Sequence, residues 1–284
     1  MCKEDNTFGR TIQLYLVDGT PNGLIVASIH GWTGSVLVAK QSTFGNLLSR
    51  HEIKRTGVYI LYGPDPENPL AMRAYIGEAD SVADRIDRSA EERGFWETAV
   101  AITATDEALT KGHVRYLEAR RIELAKNAGR VSLDNGQTPA SGRRHLPEAD
   151  RANMEAFLSN LKVILPVVGL DLLKPRAKAL ARGEVTDAYA AQFEIRHKSG
   201  VKATAVEQDG EFFVLPGSQA LKNAGHTGAH SYAELKRELI AKNILRPLLD
   251  TNMYEFVAPY AFNSPSAAAA VILGRSSNGH YPAL

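Results

Sequence analysis

Four side chains in the first half of this 284-residue sequence are of types that do chemistry: Tyr59, Tyr75, Arg85 and Glu118. A phenol, with an ordinary pKa of about 10, takes up a proton's work near neutral pH only when a nearby cation lowers that value; otherwise it orients water or an anion. An arginine stays charged and presents its donors in a fixed fork, which suits a phosphate. A glutamate can hold a hard divalent cation such as Mg²⁺ or Mn²⁺ through oxygen. His113 and Asn135 stand close by in the sequence, one a titratable imidazole and the other an amide able both to donate and to accept.

These residues fall on elements that can carry them. Val58 to Tyr62 and Ala74 to Ile76 read as short apolar strands, bounded by Gly57 and Gly77, with the turn formers PDPENP between them. Asp80 and Ser81 then give helix-start signals. Ser81 with Asp84 resembles a capping box, and Ala79, Val82, Ala83, Ile86 and Ala90 recur at helical spacing, so Arg85 lies on a helix. Phe95 to Ala104 reads as a third strand and Thr110 to Gly129 as a second helix. At about 100° per residue, Val114, Leu117, Ile122, Leu124, Ala125 and Ala128 share one arc of that helix, and Glu118 falls inside it. A carboxylate on an apolar face needs compensation. Arg121 on the same arc is one partner, although such an i,i+3 pair stabilises a helix by only about 0.2–0.5 kcal/mol; a bound cation is the other. Leu133-Asp134-Asn135-Gly136 reads as a turn, in which Asn135 is either a turn former or a functional amide.

Gly57-Val58-Tyr59 and Tyr75-Ile76-Gly77, followed by Arg85 on one helix and Glu118 on a later one, resemble the GIY-YIG nuclease family. The resemblance implies a divalent-metal-dependent endonuclease that hydrolyses phosphodiester bonds in nucleic acid, with DNA as the expected substrate. It implies Glu118 as the ligand of Mg²⁺ or Mn²⁺, Arg85 on the scissile phosphate, Tyr59 as the candidate base, and Tyr75 positioning water or phosphate. Asn135 matches an asparagine that the family carries beyond its glutamate; His113, read from its own position, is either an auxiliary proton carrier or a satisfied surface histidine at a helix start. Some features depart from the pattern. Val58 replaces an isoleucine, Arg88 stands near the place of a frequent histidine, and Glu78, Asp80, Asp84 and Asp87 put negative charge around Arg85, where they would repel phosphate or tie the arginine into a salt bridge. The alternative class is therefore a catalytically weak GIY-YIG module that binds nucleic acid or protein without cutting. An enzyme acting on small phosphorylated molecules is disfavoured, because no glycine-rich phosphate loop appears.

The chain is long enough for two domains, and its single cysteine, Cys2, excludes an internal disulfide framework and a thiolate metal cluster, which fits the cytoplasm. No charged-then-apolar leader opens it, and no apolar run is long enough to span a bilayer, so no membrane partner is expected. Thirty-three basic against 32 acidic residues give a net charge of +1, so a nucleic-acid surface has to be local. The sets that offer one are Lys174, Arg176, Lys178 and Arg182; Arg143, Arg144 and His145; and Lys111, His113, Arg115, Arg120 and Arg121. His30 and Trp32, at the end of a strand, are either base-stacking or half-buried packing residues. The expected fold class is α+β. An N-terminal β-hairpin appendage spans residues 1–54, a small mixed-sheet GIY-YIG core with flanking helices 55–169, a basic linker 170–186, and a separate C-terminal α+β domain 187–284. That last part begins with three strands joined by the turn signals Lys198-Ser199-Gly200 and Gln208-Asp209-Gly210, read as a meander. Its FNSPSAAAAVILGRSSNG resembles a C-terminal domain of unassigned function that accompanies many GIY-YIG proteins.

Overall fold

A computed structural model describes residues 9–136, 146–174, 191–196, 199–208, 211–222, 230–249, 251–262 and 265–274. The chain is α+β and divides into two compact units, residues 1–175 and 176–284. In the first unit, seven strands form one sheet: β1 (Ile12–Leu16), β2 (Ile25–Ile29), β3 (Gly34–Lys40), β4 (Gly57–Asp65), β5 (Asn68–Ala79), β6 (Thr98–Ala104) and β7 (Val131–Leu133). Their spatial order is β1-β2-β3-β6-β4-β5-β7. The sheet is mixed, since every neighbouring pair is antiparallel except β5 and β7.

The strands expected to form an appendage within residues 1–54 are therefore part of the main sheet. β6, TAVAITA, is buried at all seven positions, as befits a strand covered on both faces of its sheet. β4 supplies one edge and β3 the other, with Val36 opposite Ile102 and Val58 opposite the same residue. The expected PDPENP loop is also mostly strand. The β4–β5 ladder runs through Pro64 and Asp65, with a register shift between them, because the buried Asp65 accepts from the Ser132 hydroxyl and pairs with Arg73 Nη2 at 2.7 Å.

Alternation along the strands sorts the core onto two faces. Val58, Ile60, Ala74, Ile76, Val100 and Ile102 face helices α3 (Lys111–Ala128) and α4 (Glu148–Val167). Tyr59, Leu61, Ala99 and Ala101 face α1 (Phe44–Leu48) and α2 (Val82–Glu91). The α4 face also takes Trp32, whose ring lies 4.8 Å from that of Phe157, so it packs in the core rather than offering a stacking surface. Leu170, Leu172 and Leu173 belong to this core too. The chain leaves the unit after them, later than the expected linker at 170–186, because three leucines in four residues bury better than they link.

The short β7 covers only Met72, Arg73 and Ala74 of the β5 edge. The next two residues prolong the ladder by other means. Asp134 N–H donates to Ala74 O at 2.9 Å, and the Asn135 side chain accepts from Ile76 N–H at 3.1 Å while donating to Ile76 O at 2.7 Å.

The second unit contains a four-stranded antiparallel sheet ordered β14-β10-β9-β8 and a three-stranded one ordered β11-β13-β12. Its strands are β8 (Ala191–Arg196), β9 (Lys202–Gln208), β10 (Glu211–Val214), β11 (Gln219–Leu221), β12 (Leu245–Pro247), β13 (Met253–Phe256) and β14 (Tyr260–Phe262), and its helices α5 (His230–Ala241) and α6 (Pro265–Leu273). β8 to β10 form the expected meander, whereas β11 to β14, three or four residues each, are too short to show a period in sequence. Lys236 is buried here, donating to Leu221 O and, at 3.0 Å, to Val271 O. Burial lowers its pKa to about 8. Among the described residues no helix is long and apolar enough to cross a membrane.

The Asn135 clamp is open to a direct check. Asn135→Ala leaves both Ile76 backbone groups without partners at a part-buried edge, and is expected to cost about 1–3 kcal/mol of unfolding free energy in urea titrations. Asn135→Asp keeps the acceptor but loses the donor, so it should fall between wild type and alanine at neutral pH. An alanine variant as stable as wild type would show that the clamp does not hold the β5 edge.

Candidate active site

Tyr59 on β4 stands opposite Gly77 on β5. A Cβ built at Gly77 would lie 2.3 Å from Tyr59 Cζ and 2.5 Å from its Oη, so the phenol crosses directly over the Gly77 backbone and only glycine leaves it room. The ring is fully buried, and its hydroxyl lies 2.8 Å from the buried Ser89 hydroxyl on α2. Burial pushes its pKa up to about 12, and Tyr75 adds to the rise; the Ser89 hydrogen bond and the Arg85 charge pull the other way. The phenol is thus protonated at neutral pH and suited to orienting a neighbour, not to taking a proton. The lowering by a cation that a base would need is outweighed by desolvation.

Tyr75 lies on the same face, its ring centroid 6.0 Å from that of Tyr59, and is only half-buried. Arg93 stacks on it with the guanidinium carbon 3.6 Å from the ring centroid. Arg85, on the exposed side of α2, is bound to neither Asp84 nor Asp87. The expected salt bridge is absent among the described residues, and the Arg85 charge acts on both Tyr59 and Glu118. Ser81 caps α2 without a side-chain hydrogen bond, so the expected Ser81–Asp84 box does not form.

Glu118 belongs to α3, on the other side of the sheet. Two residues beyond Ile76 along β5, Glu78 points to that side as well, where Lys111 Nζ pairs with it at 2.8 Å and with Asp80 at 3.2 Å. Arg115 Nε lies 3.9 Å from Glu78. Burial, and then repulsion from Glu78, push the Glu118 pKa up to about 7 against the attraction of Arg121, Lys111 and Arg85. Arg121 is fully buried, donates through Nε to Leu117 O at 3.4 Å, and has no hydrogen-bond partner for Nη1 or Nη2 among the described residues. Burial lowers its pKa to about 9 while Glu118 raises it. The Glu118–Arg121 pairing weighed from sequence is an attraction without contact.

The quartet is thus divided by the sheet, with the tyrosines on the α2 face, Glu118 on the α3 face, and Arg85 within electrostatic reach of both. The remaining sequence-derived residues go elsewhere. His113 Nδ1 accepts from Thr110 N–H at 3.2 Å, and the Thr110 hydroxyl accepts from His113 N–H at 3.3 Å; the imidazole caps its own helix, with Asp150 3.8 Å from Nε2. Asn135 acts on the backbone, as described. Arg120 is clamped by Glu155 and Glu123, so the basic set at 111–121 is four separate arrangements: Lys111 and Arg115 beside Glu78, the capping His113, Arg120, and the buried Arg121. Arg143, Arg144, His145, Arg176, Lys178 and Arg182 lie outside the described residues. Ser89 and Arg93 were not singled out in the sequence. The available signal was spacing, since Ser89 stands one helical turn beyond Arg85 on the same helix.

Glu118 fits the divalent cation expected of it. A carboxylate destabilised by burial and by a second carboxylate is relieved by a nearby cation. Among the described residues no three His, Cys, Asp or Glu side chains are grouped so as to hold a metal ion.

The raised pKa has a thermodynamic signature. Because the folded value lies above the ordinary 4.5, the Glu118 contribution to stability is fully present below about pH 4.5 and is lost as pH rises toward 7. Glu118→Gln, neutral throughout, should therefore gain stability relative to wild type across that window and level off above it. Urea midpoints of both proteins at about pH 5 and pH 8 test this; a difference that does not change with pH would contradict the shift.

A model of the domain of unknown function DUF4357 matches residues 193–281, which covers the second unit from β8 to beyond α6. No curated protein matches the chain. No solved structure matches it either.

Proposed function

We propose that this chain is a divalent-metal-dependent endonuclease of GIY-YIG type, cutting phosphodiester bonds in nucleic acid, with DNA the favoured substrate. The observation that carries the reading is the crossing of Tyr59 over Gly77 beside Tyr75, on the face covered by α2, the helix that carries the exposed Arg85. In this reading Arg85 binds the scissile phosphate and stabilises the charge that builds on it. Glu118 holds Mg²⁺ or Mn²⁺, which when bound would supply Lewis-acid stabilisation of phosphate or leaving-group oxygen. Tyr75, half-exposed, touches the substrate or its attacking water; Tyr59, a neutral buried phenol, braces it and is not the base.

The burial and high pKa of Tyr59 also favour the second reading, a module that binds nucleic acid without efficient cutting. One experiment separates them. The purified full chain is incubated with plasmid, single-stranded DNA and RNA, with and without EDTA. Cleavage is expected only with the cation. Glu118→Gln should abolish cleavage and the thermal stabilisation given by Mg²⁺ or Mn²⁺ while leaving nucleic-acid binding intact, and Arg85→Ala should lose cleavage but keep the cation response. No cation-dependent cleavage of any substrate by folded protein would replace the nuclease by the binding module.

A further inference from the structure

The ring of Tyr75 is held by a relay of side chains that the proposed chemistry does not itself use. Its backbone neighbours are fixed first. Asp134 N–H holds Ala74 O and the Asn135 amide holds both polar groups of Ile76, so Tyr75 sits between two anchored residues. The same Asp134 extends its carboxylate to Arg93, with Nε donating to Oδ2 at 2.8 Å. Arg93 Nη1 donates to Ser89 O at 3.3 Å and to Glu92 Oε2 at 3.0 Å. Held on these sides, the guanidinium lies 3.6 Å from the centre of the Tyr75 ring, well inside the range of about 6 Å for a cation over an aromatic face. Ser89 closes the arrangement, because its carbonyl orients Arg93 while its hydroxyl meets the Tyr59 hydroxyl at 2.8 Å. A single turn at the end of α2 thereby orients both tyrosines.

We infer that Arg93 is a positioning residue for Tyr75, fixing the direction in which the phenol meets the substrate. The role assigned to Tyr75 rests on the nuclease reading; the contact itself does not. A lysine cannot reproduce it, since a single ammonium lacks the fork that reaches Asp134 and Ser89 while keeping a flat face on the ring.

The test has two arms. In the first, the full chain is labelled with 3-fluorotyrosine and the Tyr75 resonance is identified by its disappearance in Tyr75→Phe. Arg93→Met should shift that resonance and change its width more than any other, and Arg93→Lys should fail to restore it. In the second, Arg93→Met should lower turnover of nucleic acid by about tenfold to a hundredfold, the scale of a misplaced reacting group, with KM little changed. The double variant with Tyr75→Phe should be no slower than Tyr75→Phe alone. Should Arg93→Met not fold, Asp134→Asn, which weakens the guanidinium's anchor but keeps Arg93, takes its place in both arms. An unshifted Tyr75 resonance overturns the inference, and so do additive effects on turnover. If wild type cuts nothing, the nuclease reading fails, and the fluorine arm still decides whether Arg93 orients the ring.

Discussion

The alternation of β5 is the constraint on which the first unit depends. Between Ala74 and Glu78 each residue faces the side opposite to the last, so one strand delivers Tyr75 and the bare Gly77 to the α2 face and Ile76 and Glu78 to the α3 face. A slip of one residue would exchange the two sets. It would put Glu78 against Tyr59 and Tyr75 among the leucines of α4. The pairing of Tyr59 with Gly77 prevents this sterically, because no other residue of the segment lacks the Cβ that would strike the phenol. From the opposite edge, Asp134 and Asn135 prevent it by hydrogen bonding.

Charge is arranged around this strand with unequal care. Asp65, Arg73 and Ser132 pair at the hairpin end, and Lys111 neutralises part of Glu78. Glu118 and Arg121 stay electrostatically unfavourable, one raised and the other lowered in pKa by burial. Stability alone would not retain two such groups, because replacing buried ionic side chains by apolar ones is often neutral or stabilising. In the proposed site, a cation beside Glu118 would offset the cost of its burial.

Much of the first unit was legible in sequence. Short apolar runs bounded by Gly57 and Gly77 pointed to the β4–β5 pair, and the left-handed Gly129 at φ +61° ends α3 at the residue where the periodicity stops. Glu118 was recognisable as a costly carboxylate because a helical arc can be computed without knowing what covers it. What could not be read was long-range pairing. Nothing local in TAVAITA says that β3 will lie along its far edge, so the strands before residue 54 looked detachable. The roles of Asn135 and Arg93 were hidden for the same reason, since their partners, Ile76 and Tyr75, lie 59 and 18 residues away in sequence and meet them only through the sheet. In the second unit the short strands β11 to β14 carried no periodic signal at all.

The central place of β6 has a consequence for how this chain can be handled and how it could have been assembled. Cutting the chain at residue 54, as its sequence invites, would strip β3 from β6 and lay open a seven-residue edge with neither charge nor proline to blunt it. Such an edge is a template for strand addition, so the shortened protein would recruit other copies of itself into aggregates. The β-rich start of the chain thus serves the rest as a built-in cover against self-association.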